Sequence, residues 1–428
     1  PRVLAPCSSS RTIMSLLVVK TAAEASVREV KSDPFDDETW LSTKKVVEDV
    51  KKRGREAVCE YALKYGEIDA SSSGKLVLSR EELREAYESL DAKTRGVLDR
   101  TAARIKAFAE AQKGSLSTLS VSVCGGHVGH SLLPIASAGC YAPGGRYPLP
   151  SSVLMTALTA QVAGVSRIIV ASPRPNNIVR AAAFISGAHA LLPLGGAHAI
   201  AALAYGIPGV VEPVDVIVGP GNRYVTAAKS IVSSFVKIDA LAGPSECLVV
   251  ADQSADSSTI AADLLAQAEH DDDARAILVT TSKDLLQRVE KDLTLQLETL
   301  PSAPTARAAL KNSFAVVVES LKDTIPVVDA IAPEHLELHF QGAAEYRDLY
   351  ANAGAVFVGH HSAEVLGDYG FGPNHVLPTL ASARFSSGLS VFTFLRTRTW
   401  IELSQISQAQ LAVQDAVDMA RLEGLEAH

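Results

Sequence analysis

The residue types able to do acid–base or metal chemistry gather in a few short stretches of this 428-residue chain. Gln267-Ala268-Glu269-His270 closes a predicted helix, and at i and i+3 Gln267 and His270 point from one face. A carbonyl oxygen and an imidazole suit a divalent ion of the zinc type, with further ligands from elsewhere. The same pair also reads as a helix C-terminus with a favourable histidine. In Ala332-Pro333-Glu334-His335-Leu336-Glu337 a carboxylate stands beside an imidazole after a proline turn. Histidine titrates near neutrality and glutamate can orient water, so Glu334 and His335 form a candidate acid–base pair; as an isolated dipeptide they also read as solvated surface. The glycine-rich loop from Gly367 to His375 carries Asp368, which can complete a metal shell, and His375, which can meet a substrate; a plain turn with an Asx motif is the alternative. All 11 histidines follow Gly125, and the last, His428, ends the chain, ordinarily the place of a frayed terminus.

These residues need a scaffold, and the patterning supplies one. Residues 37–65 carry Val46, Val47, Val50, Ala57, Val58, Tyr61 and Ala62 at helical spacing and predict one helix ended by Gly66. Ser79-Arg80-Glu81-Glu82 is a capping-box signature, and a further helix is predicted from Ala92 to Lys113. From about Ala136, β-branched runs alternate with alanine-rich stretches, with strands predicted at 167–171, 214–218, 247–251, 276–280, 315–318 and 355–358. That alternation predicts an α/β fold with more than one parallel sheet. Dense loops follow the strands: Tyr141-Ala142-Pro143-Gly144-Gly145-Arg146, Gly195-Gly196-Ala197-His198 and Gly219-Pro220-Gly221-Asn222. Glycine lets a ligand approach the backbone and a helix N-terminus offers N–H groups to phosphate, so three such loops suggest a nucleotide cofactor, although none is GxGxxG.

Composition narrows the class. Hydrophobic residues are 47% and charged residues 21%, the balance of a globular chain, and the formal net charge is −8. With no basic stripe to offset that charge, nucleic-acid binding is not expected. No apolar run is long enough to span a membrane. Five widely spaced cysteines without a CxxC pair suit reduced thiols in the cytoplasm and exclude a finger-type zinc site. Residues 1–12 bear serine and arginine but no acid, which fits either the remnant of a plastid transit peptide or a short loose end.

Eight segments, in collinear order, resemble the histidinol dehydrogenase family: YAPGGRYPLPSSVLM, GPGNRYVTAAK, AGPSE, AQAEH, APEHLEL, GDYGFGPNHVLPT, ARFSSGLSV and EGLEAH. The resemblance runs from about Arg28 to His428. It implies one zinc per subunit on Gln267, His270, Asp368 and His428, with Glu334 and His335 as the acid–base residues. It implies substrate contacts at Ser245, His375 and Glu423 beside Gln267, His270, His335 and Asp368, and NAD contacts at Tyr141 and Asn222. It implies an intertwined homodimer in which Glu423 and His428 enter the partner's site. The reaction implied is the oxidation of L-histidinol to L-histidine through L-histidinal with two NAD, His335 serving as general base and Glu334 activating water.

Two departures from the family pattern stand out. His198 occupies a position where the family usually has a cofactor-contacting glutamine; an imidazole still hydrogen-bonds ribose or phosphate, so altered affinity is expected. GGRYPLP resembles the wording of a sister group acting on sulfopropanediol, whereas Glu423 and ARFSSGLSV side with the histidinol enzymes. A catalytically idle scaffold is the reading from another class, and retention of Glu334, His335 and all four ligands speaks against it. The fold implied is two incomplete Rossmann-like units. Residues 28–136 and 246–389 would form the zinc and substrate side and 139–245 the NAD side. Residues 14–27 and 390–403 would be a small helical region, and 404–428 a helical dimerisation tail.

Overall fold

Strand–helix alternation builds two six-stranded sheets, each within its own unit. The computed structural model describes residues 15–25, 34–69, 75–144 and 148–428. Residues 1–12, Arg28, and Gly145 and Arg146 of the first glycine-rich loop lie outside the described residues.

One unit comprises the described residues up to Asp36 with Ala240–Asp368 and Leu377–Gly388. Its sheet is parallel throughout, in the spatial order Val18–Lys20, Phe314–Val317, Arg275–Thr280, Glu246–Ala251, His335–His339, Ala355–Val358. Parallel neighbours need crossovers, supplied by helices such as Ser257–Ala268, Lys283–Thr299 and Leu321–Ile331. Helices cover both faces, so Glu246–Ala251 is buried along its whole length, with Cys247, Val249 and Ala251 on one face and Leu248 and Val250 on the other.

The second unit comprises Asp37–Asp239, Tyr369–Val376 and Leu389–His428. Its sheet runs Leu78–Ser79, Ala190–Leu192, Arg167–Ala171, Ser137–Tyr141, Val216–Val218, Lys237–Ile238, and only the edge strand Leu78–Ser79 is antiparallel. A three-stranded antiparallel sheet joins Leu119–Val123, Gly126–Pro134 and Leu395–Leu403. The tail is helical at Gln410–Leu422.

The partition differs from the sequence expectation. Residues 37–136 pack with 139–239, not with 246–389. Val47, Val50, Val58 and Ala62 share a core with Ile200, Leu203 and Val225. Leu98, Ala102 and Ile105 share another with Leu154, Met155 and Leu158. The regions expected to be small and helical contain short helices, Ala22–Ala25 and Val391–Phe394, but also strands: Val18–Lys20 pairs with Phe314–Val316, and Leu395–Leu403 pairs with Gly126–Pro134 over nine residues. The predicted helix at 37–65 breaks into Asp37–Arg53 and Arg55–Lys64 at Gly54, whose φ of 56° leaves the helical region. The capping box of Ser79 and Glu82 forms as read.

Candidate functional site

The chemistry-bearing residues of the first unit meet at the amino edge of its sheet. His335 opens its strand beside Cys247 on one flank and Ala355 on the other. The turn that delivers it is strained: buried Ala332 caps Leu321–Ile331 in the left-handed region, at φ 52°. Helix Ser257–Ala268, returning antiparallel to its strand, brings Gln267 and His270 to the same edge. Asp256 caps that helix, its carboxylate accepting from Thr259 N–H at 2.9 Å.

His335 is buried, and its Nδ1 lies 3.1 Å from the carbonyl of Glu246. A carbonyl only accepts, so Nδ1 carries the hydrogen and Nε2 of the neutral ring is the acceptor. Glu334 Oε2 accepts from Glu246 N–H at 3.1 Å, and burial holds this carboxyl well above the usual carboxylate range. Glu364 Oε1 lies 3.4 Å from His335 Nδ1. Burial first, and then Asp368 and Glu337, push Glu364 up to about 8. Ser245 immediately precedes the central strand, and its carbonyl accepts from Arg275 N–H at 3.0 Å.

Three of the four expected metal ligands belong to this unit. Gln267 is fully buried, yet neither Oε1 nor Nε2 has a hydrogen-bond partner. A buried primary amide without partners costs several kcal/mol (about 1–3 for each polar group) unless a ligand answers it. His270 Nδ1 donates to the carbonyl of Ala266 at 2.8 Å, leaving Nε2 as the lone-pair donor, 3.7 Å from Asp368 Oδ2. An amide oxygen, an imidazole nitrogen and a carboxylate form a donor set that fits zinc.

The other expected residues belong to the second unit. Tyr141 is buried, its hydroxyl accepting from Gly196 N–H at 3.1 Å, and burial pushes its phenol up to about 12. Asn222 caps Arg223–Val232, its Oδ1 accepting from Tyr224 and Val225 N–H. The loop before it needs glycine at 219: φ is 117°, and a Cβ would fall 2.0 Å from the Tyr141 carbonyl oxygen. Gly219 N–H donates to Asp239 at 2.7 Å while buried Lys229 donates to the Gly219 carbonyl at 3.0 Å. His375 Nε2 lies 3.5 Å from Ser152 Oγ. Glu423 and His428 are exposed, on and just after the end of the Gln410–Leu422 helix.

His198 is engaged within its own unit. It is buried, its Nε2 sits 2.7 Å from Glu67 Oε2, and Tyr61 and Tyr65 stack on it with centroids at 5.9 and 5.6 Å. Glu67 also accepts from Gly195 N–H at 2.9 Å. Two amides of the loop expected to meet phosphate, Gly195 and Gly196, thus already donate to Glu67 and Tyr141. No motif marks Glu67, which lies 131 residues from His198. Glu246 and Glu364 also escaped the sequence reading. The buried Glu337 and His339 did leave one signal: His335-Leu336-Glu337-Leu338-His339 alternates, which in a strand puts His335, Glu337 and His339 on one face; Asp263, on helix Ser257–Ala268, left none.

A histidinol dehydrogenase family model matches residues 31–428. The chain belongs to the histidinol dehydrogenase family. A histidinol dehydrogenase of Cupriavidus pinatubonensis is 42% identical over 391 residues, covering 90% of this chain and 87% of that protein. One from Nitrosospira multiformis is 40% identical over 384 residues, covering 89% and 87%. The crystal structure of histidinol dehydrogenase from Elizabethkingia anophelis superposes with a TM-score of 0.89 at 32% identity, over 97% of this chain and 96% of that one. Family membership thus agrees with the α/β architecture and the parallel sheets flanked by helices. Among the described residues no helix is long and apolar enough to cross a membrane.

Proposed function

We propose that this chain is a zinc- and NAD-dependent dehydrogenase that oxidises L-histidinol to L-histidine through L-histidinal. The observation that carries the reading is the imidazole of His335, its Nδ1–H held by the Glu246 carbonyl, beside the raised carboxyl of Glu334, in the unit where His270 Nε2 lies 3.7 Å from Asp368 Oδ2 and buried Gln267 has no hydrogen-bond partner. Zinc on Gln267, His270, Asp368 and a His428 from a second copy would hold the substrate's imidazole and amine, while NAD on the Tyr141 and Asn222 side would accept hydride. In the first oxidation His335 Nε2 accepts the carbinol proton as hydride leaves the same carbon. In the second, Glu334, made more basic by burial, takes a proton from the water that adds to the aldehyde carbon, and hydride then leaves the hydrate. Ser245 and Glu423, with His375, orient the substrate. His198 acts on the cofactor side through Glu67, which holds the Gly195 amide, instead of by a free imidazole.

The shared-site homodimer is part of this proposal, supported by the exposed apolar residues of the tail, Leu411, Met419 and Leu422. The free Cys59, Cys124, Cys140 and Cys247 support a reducing compartment, the cytoplasm. The test is NADH formation by the zinc-loaded protein with L-histidinol, L-histidinal and sulfopropanediol. About two NADH per L-histidinol, with sulfopropanediol inert, is the expected result. Turnover of sulfopropanediol alone would move the chain to the sister activity, and no turnover with any of the three would make it an idle relative.

A further inference from the structure

We propose that Asp263, Glu337 and His339 form a second divalent-cation site, of the zinc or manganese class, inside the unit that carries Gln267, His270 and Asp368 but built from a different set of ligands. Asp263 lies on helix Ser257–Ala268, one turn before Gln267, and Glu337 and His339 lie on the sheet strand beneath it. Their relative exposures are 7%, 0% and 2%. His339 Nε2 lies 3.4 Å from Glu337 Oε2 and 3.7 Å from Asp263 Oδ2, and the three ligand atoms fall within 4.8 Å of one another. None of these three atoms makes a hydrogen bond, although each is cut off from solvent.

Such an arrangement is costly without a ligand. Two carboxylates and an imidazole nitrogen crowd together in a core otherwise made of Ile260, Leu264, Val249 and Ala251. Buried charges persist when they are paired or coordinate a metal, and one divalent cation would balance both carboxylates and take the His339 Nε2 lone pair at once. The spacing fits an ion: metal–ligand bonds of about 2.1 Å separate adjacent ligand atoms by about 3.0–3.4 Å, close to the two separations above. Two carboxylates with one histidine form the donor set of divalent transition ions with positions left for further ligands. Support behind the ligands is also present. Glu337 turns its other oxygen, Oε1, to the Glu364 N–H at 2.6 Å, which aims Oε2 at the cluster. Glu337 is moreover the member shared with a neighbouring buried group, Cys247 and Glu364, from which another donor can come. Bound there, the ion ties helix Ser257–Ala268 to strand His335–His339, the two elements that carry Gln267 and His335.

The experiment counts metal in the full-length protein, stripped with a chelator and reloaded with zinc or manganese alone. The unsubstituted chain should retain about two ions, and His270→Ala and His339→Gln should each lose about one, of different origin, while the double variant loses both. Retention of the wild-type metal count by His339→Gln, or complete loss of metal in His270→Ala, would overturn the second site. Loss in His339→Gln with retention in His270→Ala would instead leave this site standing and remove the proposed catalytic one. Because either variant can misfold, an anomalous difference map of the unsubstituted crystal decides independently: a peak among Asp263, Glu337 and His339 is expected, and its absence after metal loading refutes the site.

Discussion

Asparagine in place of His335 is the sharpest single test of the acid–base pair. Its amide can still donate to the Glu246 carbonyl, so the geometry survives while the basic nitrogen disappears. His335→Asn should therefore slow both oxidations, by ~10²–10⁴-fold, with little loss of stability. Glu334→Gln should spare the first oxidation and slow the second, because only the aldehyde requires water. Equal slowing of L-histidinol and L-histidinal turnover in that variant would refute the division of roles. Glu67 is testable through stability. Glu67→Ala removes the acceptor of Gly195 N–H and the partner of His198 Nε2. The expected cost is about 1–3 kcal/mol for each buried group left unpaired. Urea unfolding measures it, and a change below about 0.5 kcal/mol would mean that water replaces the carboxylate.

At the scale of elements, the proposed catalytic edge is the unusual one. Open parallel sheets ordinarily bind ligands outside the carboxyl ends of their strands. Here His335 and Ser245 stand at strand beginnings, and Gln267 and His270 arrive at the end of the returning helix. The site thus depends on where Ser257–Ala268 starts and stops. Asp256 sets its start, so Asp256→Ala should destabilise the protein by about 0.5–1 kcal/mol, the lower part of the capping range because the carboxylate is solvent-accessible. Hydrogen bonds from the Thr259 side chain and then its N–H hold the Asp256 carboxyl below its usual range. A depressed folded-state value stabilises above the unfolded value near pH 4 and loses that contribution as pH falls through the folded value. The gap between wild type and Asp256→Ala should therefore be full at pH 7 and close on acidification below about pH 4, measured by denaturant titration. A constant gap down to pH 2 would mean that the carboxylate is not the capping group.

For the whole molecule the decisive segment is the tail. Leu411, Met419 and Leu422 are 76%, 54% and 82% exposed on one amphipathic helix, and Ile401 and Ile406 before it are 82% and 68% exposed. Burying such side chains stabilises an interface by about 1.5–3 kcal/mol each. Leu411→Asp with Leu422→Asp should convert the proposed dimer to a monomer and abolish activity while the circular-dichroism spectrum keeps its α/β shape. An active monomer in sedimentation would refute the shared site. Deleting residues 423–428 should leave a folded, inactive protein with weakened zinc. Mixing that deletion with Asp368→Ala should restore activity only in heterodimers, each with at most one complete site; failure of the mixture to regain any activity would show that the tail serves its own subunit.

What local chemistry encodes was readable from residue order alone: the Ser79–Glu82 capping box, six of the strands between Arg167 and Val358 though not Ala190–Leu192, Lys237–Ile238 or His335–His339, the Gln267–His270 spacing, and a family motif set that extends to His428. These depend on neighbours within about one helical turn or one strand, so periodicity and wording reveal them. Tertiary structure decided the rest. Residues 37–136 carry apolar faces without an address, and only packing assigned them to the sheet centred on Ser137–Tyr141. Leu119–Val123 is exposed along its length and gives no burial alternation; its sheet exists because Leu395–Leu403 pairs with Gly126–Pro134 from far along the chain. Glu67 found His198, and Asp263 found Glu337 and His339, only through crossovers that bring distant segments within a few ångströms, and no local propensity records where such a crossover lands.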